Sequence, residues 1–468
     1  MLNEKWIENI NMVVMKFGGT SVANTKAITS LISIVKSRLA ENQKPIIVVS
    51  ALSKVTDMLY KLADSAAAKN FEETNSILSE LRKRHLDLAA ELLETDPSLL
   101  AQAQAKINEI LDNLSNFVAA VGQLGELSDR SKAVIYANGE YLSSNIICFA
   151  LNHNSVKTNY MNARDMIVTS KEYLKGEPIT EEICKKVPQV VSSAFEGVEA
   201  IITQGFVSAT IDGEPTVLGR GGSDYSASLI GMAVDSKTIE IWTDVDGVKT
   251  ADPRKVNNTK SLVQISFEEA AEMAYFGAKV LHPLTIEPAV KKNIPIYVLN
   301  SKNPSGVGTV ILQSEFIEDG VKSVSFKENI RLINIFSPKM INTSGFLNKV
   351  FEIFSENKVS VDLISTSEAN ISVTVDATQN IEKVVEELSR FAEVNVDTEK
   401  SQVSIIGKNI VNMTGTLSKI LRPLDDCKVY MISQGASFVN ISFVIDKFNL
   451  DKVVQRIHKL LFEDESCN

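Results

Sequence analysis

The hydrophobic pattern near the start of the chain predicts a strand, a turn and a helix in succession. Residues Met12 to Met15 form an uninterrupted apolar stretch of strand length, and residues 27–35 carry apolar side chains at helical spacing. The run from Pro45 to Ser50 is rich in β-branched residues and ends in small ones, so it reads as a second strand. Together these segments predict a β-α-β unit.

The next part of the chain reads as helical before strands return. Residues 57–118 carry apolar side chains at spacings of three and four, with a break near Asp96–Pro97, and we interpret them as structural packing or a lid. Strand-like runs return at 200–203, 238–242 and 296–299, with helical stretches between them. This alternation predicts a largely parallel sheet with helices on both faces, whose ligands bind beyond the carboxyl ends of the strands.

A repeat with an offset of 70 residues marks the C-terminal part of the chain. The run Gly345–Val350 returns as Gly415–Ile420, and Asn370–Val373 returns as Asn440–Phe443. Each copy reads as a small βαββαβ module with period-two alternation in its strands.

The predicted fold class is therefore α/β, a mostly parallel three-layer αβα domain followed by two α+β modules of the βαββαβ type. A chain of 468 residues also exceeds the size at which one core stops growing. The predicted domains span residues 1–305, 325–398 and 399–468, and the two modules are arranged either in series or interleaved.

Composition and charge exclude several classes of protein. Apolar residues make up 44% and charged residues 23%, as in ordinary folded proteins. The sequence lacks an apolar run long enough to cross a bilayer and lacks a signal peptide at its start, so we expect a cytoplasmic protein with no membrane partner. A net charge of −10 argues against nucleic acid as a partner. The four cysteines show no metal-ligand spacing, so no zinc site is expected.

Two glycine-rich runs about two hundred residues apart carry the candidate chemistry. Lys16–Ser21 follows the first predicted strand, and Gly219–Asp224 combines glycines with a cation, a hydroxyl and a carboxylate. Glycine lets backbone N–H groups approach phosphate oxygens, and the lysine and the arginine add positive charge. Neither run is a P-loop or a dinucleotide fingerprint. The pair predicts a phosphate-binding site of another kind.

Six motifs in this order resemble the signatures of aspartate kinases, and they lie within the first three hundred residues. The motifs are KFGGTSV at 16–22, ANGEYLSS at 137–144, TQGF at 203–206, LGRGGSDYSA at 218–227, WTDVDGVKTADPR at 242–254 and FGAKVLHP at 276–283. The resemblance implies transfer of a phosphoryl group from ATP, with Mg2+, to the side-chain carboxylate of L-aspartate. The product would be 4-phospho-L-aspartate, made in the first step of a pathway to lysine, threonine and methionine.

Phosphoryl transfer to a carboxylate brings two anions together, so cations matter more than bases. Lys16 is expected to bridge the transferring group and the acceptor, and Asp224 to orient Lys16 with or without a contact to Mg2+. Arg220 suits the α-carboxylate of an amino acid, because it forms two parallel bonds, and Glu140 suits the α-ammonium. By resemblance, Ser50, Thr56, Phe206 and Ser223 surround the substrate.

The resemblance also implies nucleotide contacts. The phosphates are expected at Gly18, Gly19, Thr20 and Ser21. The base and ribose are expected to meet Thr243, Asp244 and Lys249, a position where tyrosine is common in related sequences. Arg254 and Lys279 are expected to reach the outer phosphates.

The two repeats resemble the paired ACT domains of aspartate kinases, and the first resembles the pocket of the lysine-inhibited members. The residues expected at that pocket are Met340, Gly345, Leu347, Ser360, Val361, Asp362 and Glu368. Lysine is thus the expected inhibitor, with threonine as the alternative, and a homodimer through the repeats, or a tetramer, is the expected assembly.

Two rival functions remain open at this stage. The chain could be a kinase of the same superfamily that acts on glutamate or a nucleotide. It could also be a catalytically silent amino acid sensor, although Lys16, Arg220 and Asp224 are all present.

Overall fold

The computed structural model describes residues 11–276, 283–341 and 343–463. In chain order its strands are β1 (Met12–Phe17), β2 (Lys44–Val49), β3 (Thr158–Met161), β4 (Val168–Thr169), β5 (Ala200–Gln204), β6 (Val207–Thr210), β7 (Pro215–Val217), β8 (Thr238–Thr243), β9 (Gln264–Ser266), β10 (Ile296–Asn300), β11 (Thr309–Leu312), β12 (Gly320–Phe336), β13 (Ile364–Thr366), β14 (Asn370–Asp376), β15 (Glu393–Lys408), β16 (Val429–Gln434) and β17 (Asn440–Asp446).

The α-helices follow the same chain order. They are α1 (Thr25–Ala40), α2 (Val55–Ala67), α3 (Phe71–Leu92), α4 (Pro97–Leu124), α5 (Asp129–Tyr136), α6 (Asn138–His153), α7 (Thr180–Ala194), α8 (Gly222–Ala233), α9 (Phe267–Tyr275), α10 (Pro283–Lys292), α11 (Phe346–Glu356), α12 (Glu382–Ser389), α13 (Thr416–Leu421) and α14 (Leu450–Phe462).

The chain divides into two compact units. Of the described residues, the first contains 11–248 and 283–313, and the second contains 249–276, 314–341 and 343–463. The sequence-based boundary near 305 places residues 249–276 in the first domain, whereas the structure groups them with the second unit. The physical reason is burial, because Ala251 and Val256 belong to the hydrophobic core of the second repeat.

A mainly parallel sheet organises the first unit. Its strands lie in the order β3-β5-β2-β1-β8-β10-β11, and β1 is parallel to both β2 and β8. Every residue of β1 is buried, as its continuous apolar run predicts. Helices α1 and α6 pack on one face of the sheet, α2 to α4 continue the same hydrophobic core beyond them, and α8 packs on the other face. The predicted three-layer architecture is confirmed.

The long helices α3 and α4 break where the sequence predicts. The Asp96 side chain accepts a hydrogen bond of 3.0 Å from the Leu99 N–H, and Pro97 occupies the first helical position, where its missing N–H costs nothing. Gly125, with φ of +72°, ends α4 in the left-handed conformation that glycine tolerates best.

The second unit is built around one antiparallel sheet shared by both repeats, in the order β13-β14-β12-β15-β17-β16. β12 and β15 are long enough to serve two modules. Residues 332–336 pair with 393–397 in the first module, and residues 320–327 pair with 402–408 in the second. Val324 accordingly lies in the core of the second repeat with Val403 and Phe443.

The two modules are therefore interleaved. The second repeat ends with α14, and its fourth strand comes from residues 320–327, which precede the first repeat in the chain. The sequence predicted the types of helix and strand in each repeat correctly. It did not indicate that the fourth strand of the second module comes from a distant part of the chain.

Candidate active site

One cavity of about 320 Å³ lies in the first unit beyond the carboxyl ends of β1, β2 and β5. Parallel strands end at the same edge of a sheet, so the segments that follow them meet there. The residues that line the cavity are Lys16, Gly19, Ser50, Ala51, Leu52, Ser53, Lys54, Thr56, Tyr60, Glu140, Phe206 and Gly219 to Asp224. The catalytic and substrate-binding residues predicted from the sequence, together with Gly19, are thus brought to one place.

Lys16 and Asp224 form an ion pair on the cavity wall. The Lys16 Nζ and the Asp224 Oδ1 are 2.6 Å apart, and Lys16 is only 9% exposed. The two groups attract as charges, but they approach at an angle that does not make a hydrogen bond. Lys16 is at the end of β1, and Asp224 is in the first turn of α8, where a carboxylate also interacts favourably with the helix dipole.

The backbone at the first glycine run lies close to its neighbours. A Cβ atom at Gly19 would lie 3.0 Å from the Ala51 carbonyl oxygen, and one at Gly18 would lie 3.6 Å from the Lys16 Nζ. The Gly18 N–H donates to the Trp242 carbonyl, and the Ser53 N–H donates to the Gly19 carbonyl. The first bond holds the glycine turn against β8, and the second holds it against the loop that follows β2.

Glu140 is buried in the cavity wall with only half of its carboxylate paired. Its Oε1 accepts a hydrogen bond of 3.1 Å from the Ala51 N–H, whereas its Oε2 has no hydrogen-bond partner among the described residues. Burial raises the pKa of Glu140 to about 8, despite the opposing effect of the Ala51 N–H. A cationic group entering the cavity would satisfy the free oxygen and restore the charged form.

The second glycine run is shaped around Phe206. This residue has φ of +66°, a left-handed conformation that is rare for a bulky side chain, and its N–H donates to the Ser226 hydroxyl. A Cβ at Gly205 would lie 2.5 Å from the Ser223 side chain, and one at Gly222 would lie 2.8 Å from the Phe206 ring. Glycine is therefore required at both positions.

Arg220, Thr20 and Ser21 differ in their exposure and in the contacts that they already make. Arg220 is exposed and has no ion-pair partner within the part of the chain that the structure describes. Thr20 is exposed, whereas Ser21 is buried, and its hydroxyl contacts the Trp242 carbonyl at 3.2 Å and the Ser301 hydroxyl at 2.7 Å. Ser21 thus ties the turn to β8 and β10 through its side chain.

The sequence interpretation missed three polar residues in the cavity wall, Ser53, Lys54 and Tyr60. Lys54 precedes α2 with φ of +69°, and no local sequence signal marks it. Tyr60 follows Thr56 by four residues on α2, so helical spacing could have identified it. Burial and the nearby Glu140 carboxylate raise the pKa of Tyr60.

The residues assigned to the nucleotide lie on both units. In the first, the Thr243 carbonyl accepts from the Ser301 N–H at 2.8 Å, and Asp244 lies 3.8 Å from the Lys302 ammonium. In the second, the Lys249 carbonyl accepts from the Ser323 hydroxyl, and Arg254 pairs with Asp252 at 2.5 Å. Lys279 lies outside the described residues.

Asp362, an expected effector contact, already has partners in the second unit. Its Oδ2 lies 2.6 Å from the Lys327 ammonium, and its Oδ1 accepts a bond of 2.5 Å from the Tyr275 hydroxyl. Burial and the Asp362 carboxylate both raise the pKa of Tyr275, so the phenol keeps its proton.

The other residues assigned to the effector pocket lie in the same repeat. Ser360 exchanges two hydrogen bonds with the Gln379 side chain, and Glu368 is exposed. Gly345, with φ of +85°, caps α11, which carries the exposed Leu347, while Met340 and Val361 pack at the edge of the module core.

No group of three or more His, Cys, Asp or Glu side chains within 11–276, 283–341 and 343–463 is arranged to hold a metal ion. Across the same ranges, no helix combines the length and the apolar character needed to span a bilayer.

The fold and the cavity define an amino acid kinase with a regulatory unit of the ACT type. Residues 11–300 match the amino acid kinase family, and residues 333–390 and 403–461 match the ACT domain. The chain is 35% identical to aspartokinase 3, chloroplastic, of Arabidopsis thaliana, over 97% of this chain and 82% of the relative. It is 32% identical to lysine-sensitive aspartokinase 3 of Escherichia coli, over 97% and 99%.

Solved structures agree with these relatives. E. coli aspartokinase III in complex with aspartate and ADP superposes with a TM-score of 0.82 at 31% identity, covering 97% of this chain and all of that one. The complex of the same enzyme with lysine and aspartate gives 0.79 at 32% identity over the same shares. The chain belongs to the aspartokinase family, and it is an aspartate kinase.

The buried Glu140 predicts a specific dependence of stability on pH. Its pKa rises from 4.5 to about 8 on folding, so the stability it contributes is fully present below 4.5 and is lost as pH rises through 8. Each unit of that difference corresponds to about 1.4 kcal/mol. Glu140→Gln replaces the titrating carboxyl with an amide. Any loss of stability that the buried amide causes does not depend on pH. The melting temperature of the variant minus that of the wild type should therefore increase between pH 5 and pH 9 in scanning calorimetry.

Glu80→Gln, which changes an exposed glutamate of α3, is the matched control and should give a flat difference. A flat difference for Glu140→Gln as well would show that Glu140 is not protonated on folding.

Proposed function

We propose that the first unit transfers the γ-phosphoryl group of ATP to the β-carboxylate of L-aspartate, forming 4-phospho-L-aspartate. One observation carries the proposal: a single cavity contains the Lys16–Asp224 ion pair and the half-paired Glu140 carboxylate. The relative from E. coli that was solved with aspartate and ADP supports this choice of ligands. The reaction would be the first step toward the amino acids derived from aspartate.

The substrate is held by groups of opposite charge. Glu140 receives the α-ammonium, because its buried Oε2 lacks a partner, and the exposed Arg220 binds the α-carboxylate through two parallel bonds. Ser50, Thr56, Phe206 and Ser223 line the same cavity and shape the space around the side chain. The left-handed backbone of Phe206 and the close approach at Gly205 and Gly222 set the shape of that space.

The glycine turn and several cationic side chains bind the phosphates in this proposal. Gly18, Gly19 and Thr20 present backbone and hydroxyl groups, while the Ser21 hydroxyl holds the turn in place. The remaining nucleotide contacts are assigned to Lys16, Thr243, Asp244, Lys249, Arg254 and Lys279.

Catalysis consists of positioning and charge neutralisation. Lys16 bridges the transferring phosphoryl group and the acceptor carboxylate, and Asp224 fixes its direction and balances its charge between turnovers. A charge-assisted hydrogen bond of this kind contributes about 1.5 to 3 kcal/mol.

Magnesium fits this donor set as an ion held mainly by phosphate oxygens and water. The described residues offer no three-ligand protein site, and Asp224 supplies a carboxylate next to the phosphate-binding turn. When bound, the ion neutralises part of the phosphate charge.

Regulation is assigned to the second unit. Lysine is the proposed inhibitor, as in the lysine-sensitive relative, and threonine is the alternative. Its ε-ammonium would bind Asp362, with Glu368 near by in the same repeat, and it must displace Lys327 to do so, because Lys327 already lies 2.6 Å from that carboxylate. The modules are proposed to assemble the protein as a homodimer or a tetramer.

Replacing Lys16 tests the catalytic proposal. Lys16→Ala should lower kcat by about a thousandfold, because it removes a cation that acts on the transition state. A coupled assay for ADP with L-aspartate measures the loss, and circular dichroism checks that the variant is folded. Lys36→Ala, on the exposed face of α1, should retain full activity. Normal turnover by folded Lys16→Ala would refute the proposed mechanism.

The effector proposal predicts opposite results for two variants. Lys327→Met leaves Asp362 buried without its cation, so the lysine concentration that gives half-inhibition should fall about tenfold. Asp362→Asn should raise that concentration by at least about tenfold, because the ammonium loses its partner. Activity is titrated with lysine and, separately, with threonine. Unchanged inhibition in both variants would remove Asp362 from the effector site without touching the catalytic proposal.

A further inference from the structure

The end of β10 contacts the residues at the end of β8 and just beyond it. The Ser301 N–H donates to the Thr243 carbonyl at 2.8 Å, and the Ser301 hydroxyl lies 3.0 Å from the same oxygen. The Asn300 amide donates to the Asp246 carboxylate at 2.8 Å. We call residues 243–246 the β8 loop. It carries both residues of the first unit to which contacts with the base and ribose are assigned above.

The Ser301 hydroxyl also meets the glycine turn. The Ser21 Oγ lies 2.7 Å from the Ser301 Oγ and 3.2 Å from the Trp242 carbonyl oxygen, and both serines are buried. The Gly18 N–H donates to the same Trp242 carbonyl at 3.1 Å. The glycine turn is therefore connected to two successive carbonyls of β8, directly to Trp242 and through Ser301 to Thr243.

The two hydroxyls always share one hydrogen bond. Each serine hydroxyl has a single proton, and a separation of 2.7 Å between the two oxygens requires a proton between them. In one arrangement Ser21 donates to Ser301, which donates to Thr243. In the other, Ser301 donates to Ser21, which donates to Trp242. In both, the Ser21 proton is used within the protein, so this hydroxyl sets the position of the turn and does not donate to phosphate.

The Ser301 backbone is fixed as well. The Ser30 hydroxyl of α1 donates to the Ser301 carbonyl at 2.6 Å, and the Asn300 side-chain oxygen accepts from the Lys302 N–H at 2.8 Å. The N–H, carbonyl and hydroxyl groups of Ser301 are thus all bonded to groups of the first unit. Ser301 is a fixed junction between the glycine turn and the β8 loop.

We propose that Ser301 is a positioning residue for the nucleotide, which it serves by fixing the glycine turn relative to the β8 loop, and that Asn300 supports it by holding Asp246. This inference rests on the nucleotide role proposed for the glycine turn and for Thr243. A nucleotide that contacts both segments binds best when their spacing is set in advance, because it does not then have to order them. Neither Ser301 nor Asn300 is assigned a role in binding aspartate.

Removing the Ser301 hydroxyl tests the proposal. Ser301→Ala should weaken the binding of ADP about fivefold in calorimetric titration and raise the KM for ATP by a similar factor, because the glycine turn loses its link to Thr243. The KM for aspartate, and kcat at saturating ATP, should stay at wild-type values. Thermal unfolding reports whether the variant is folded.

Ser65→Ala is the matched control. Ser65 of α2 is also a buried serine, and its hydroxyl donates to the Glu73 carboxylate at 2.7 Å. Both variants lose one buried hydroxyl and should lose some stability. Only Ser301→Ala should lose affinity for ADP, which separates a positioning role from a general effect on folding.

A double-mutant cycle asks whether Ser301 acts through the glycine turn. Ser21→Ala removes the shared bond from the other side and should also weaken ADP binding about fivefold. The double variant Ser21→Ala, Ser301→Ala should lose less than about tenfold, whereas independent effects would multiply to about 25-fold. A loss of the larger size would overturn the proposed link.

Asn300→Ala gives a test that does not depend on a buried residue. It removes the contact with Asp246 and should weaken ADP binding about threefold. Asn303→Ala, in the turn that follows, is its control, because the Asn303 side chain bonds to the Ser305 hydroxyl instead. If Ser301→Ala does not fold, this comparison decides the question alone.

The outcomes separate this inference from the proposed function. If the wild-type protein binds no ADP, the proposed function is wrong and the inference falls with it. If the wild-type protein binds ADP but Ser301→Ala matches Ser65→Ala and Asn300→Ala matches Asn303→Ala, the positioning role alone is overturned. An equal rise in the KM for aspartate would show a general disturbance of the cavity and would also overturn it. A selective loss of ADP affinity in both variants supports the inference.

Discussion

The half-paired carboxylate of Glu140 is the constraint on which the first unit depends. Burying a carboxylate is costly unless its charge is compensated, and here one backbone N–H satisfies only Oε1. Burial therefore favours a protonated Glu140, and the charged form needs a cation at the remaining oxygen. A ligand with an ammonium group would supply it, and on this ground we propose that the cavity selects an amino acid over a simple dicarboxylate.

Cationic side chains line this cavity although the protein as a whole is acidic. The chain carries a net charge of −10, yet Lys16, Lys54 and Arg220 all line the cavity. Asp224 compensates Lys16 within it. Because β1, β2 and β5 end at one edge of the sheet, these groups meet although they lie up to two hundred residues apart in the chain.

Local patterns predicted much of this arrangement. The buried run of β1, the break at Asp96–Pro97 and the strand-end position of the glycine turn follow from periodicity and turn chemistry. The residues of the cavity were found by resemblance, and Lys54 was missed because its left-handed backbone has no sequence signal.

Long-range pairing could not be read from the sequence. Residues 320–327 have the sequence pattern of an ordinary strand, and no local feature indicates that they complete the second module. The same limit hid Lys327 as the partner of Asp362, and it hid the contact between Thr250 and His458, which lie 208 residues apart in the chain. In each case the pairing depends on packing between distant segments, which periodicity does not report.

Proton release on binding of L-aspartate tests the role of Glu140 most directly. Calorimetric titrations at pH 7 in two buffers of different ionisation enthalpy, with saturating ADP throughout, give the number of protons exchanged. A carboxyl with a pKa of about 8 that becomes charged on binding should release about one proton. Binding of L-aspartate to the wild-type protein without proton release would contradict the account.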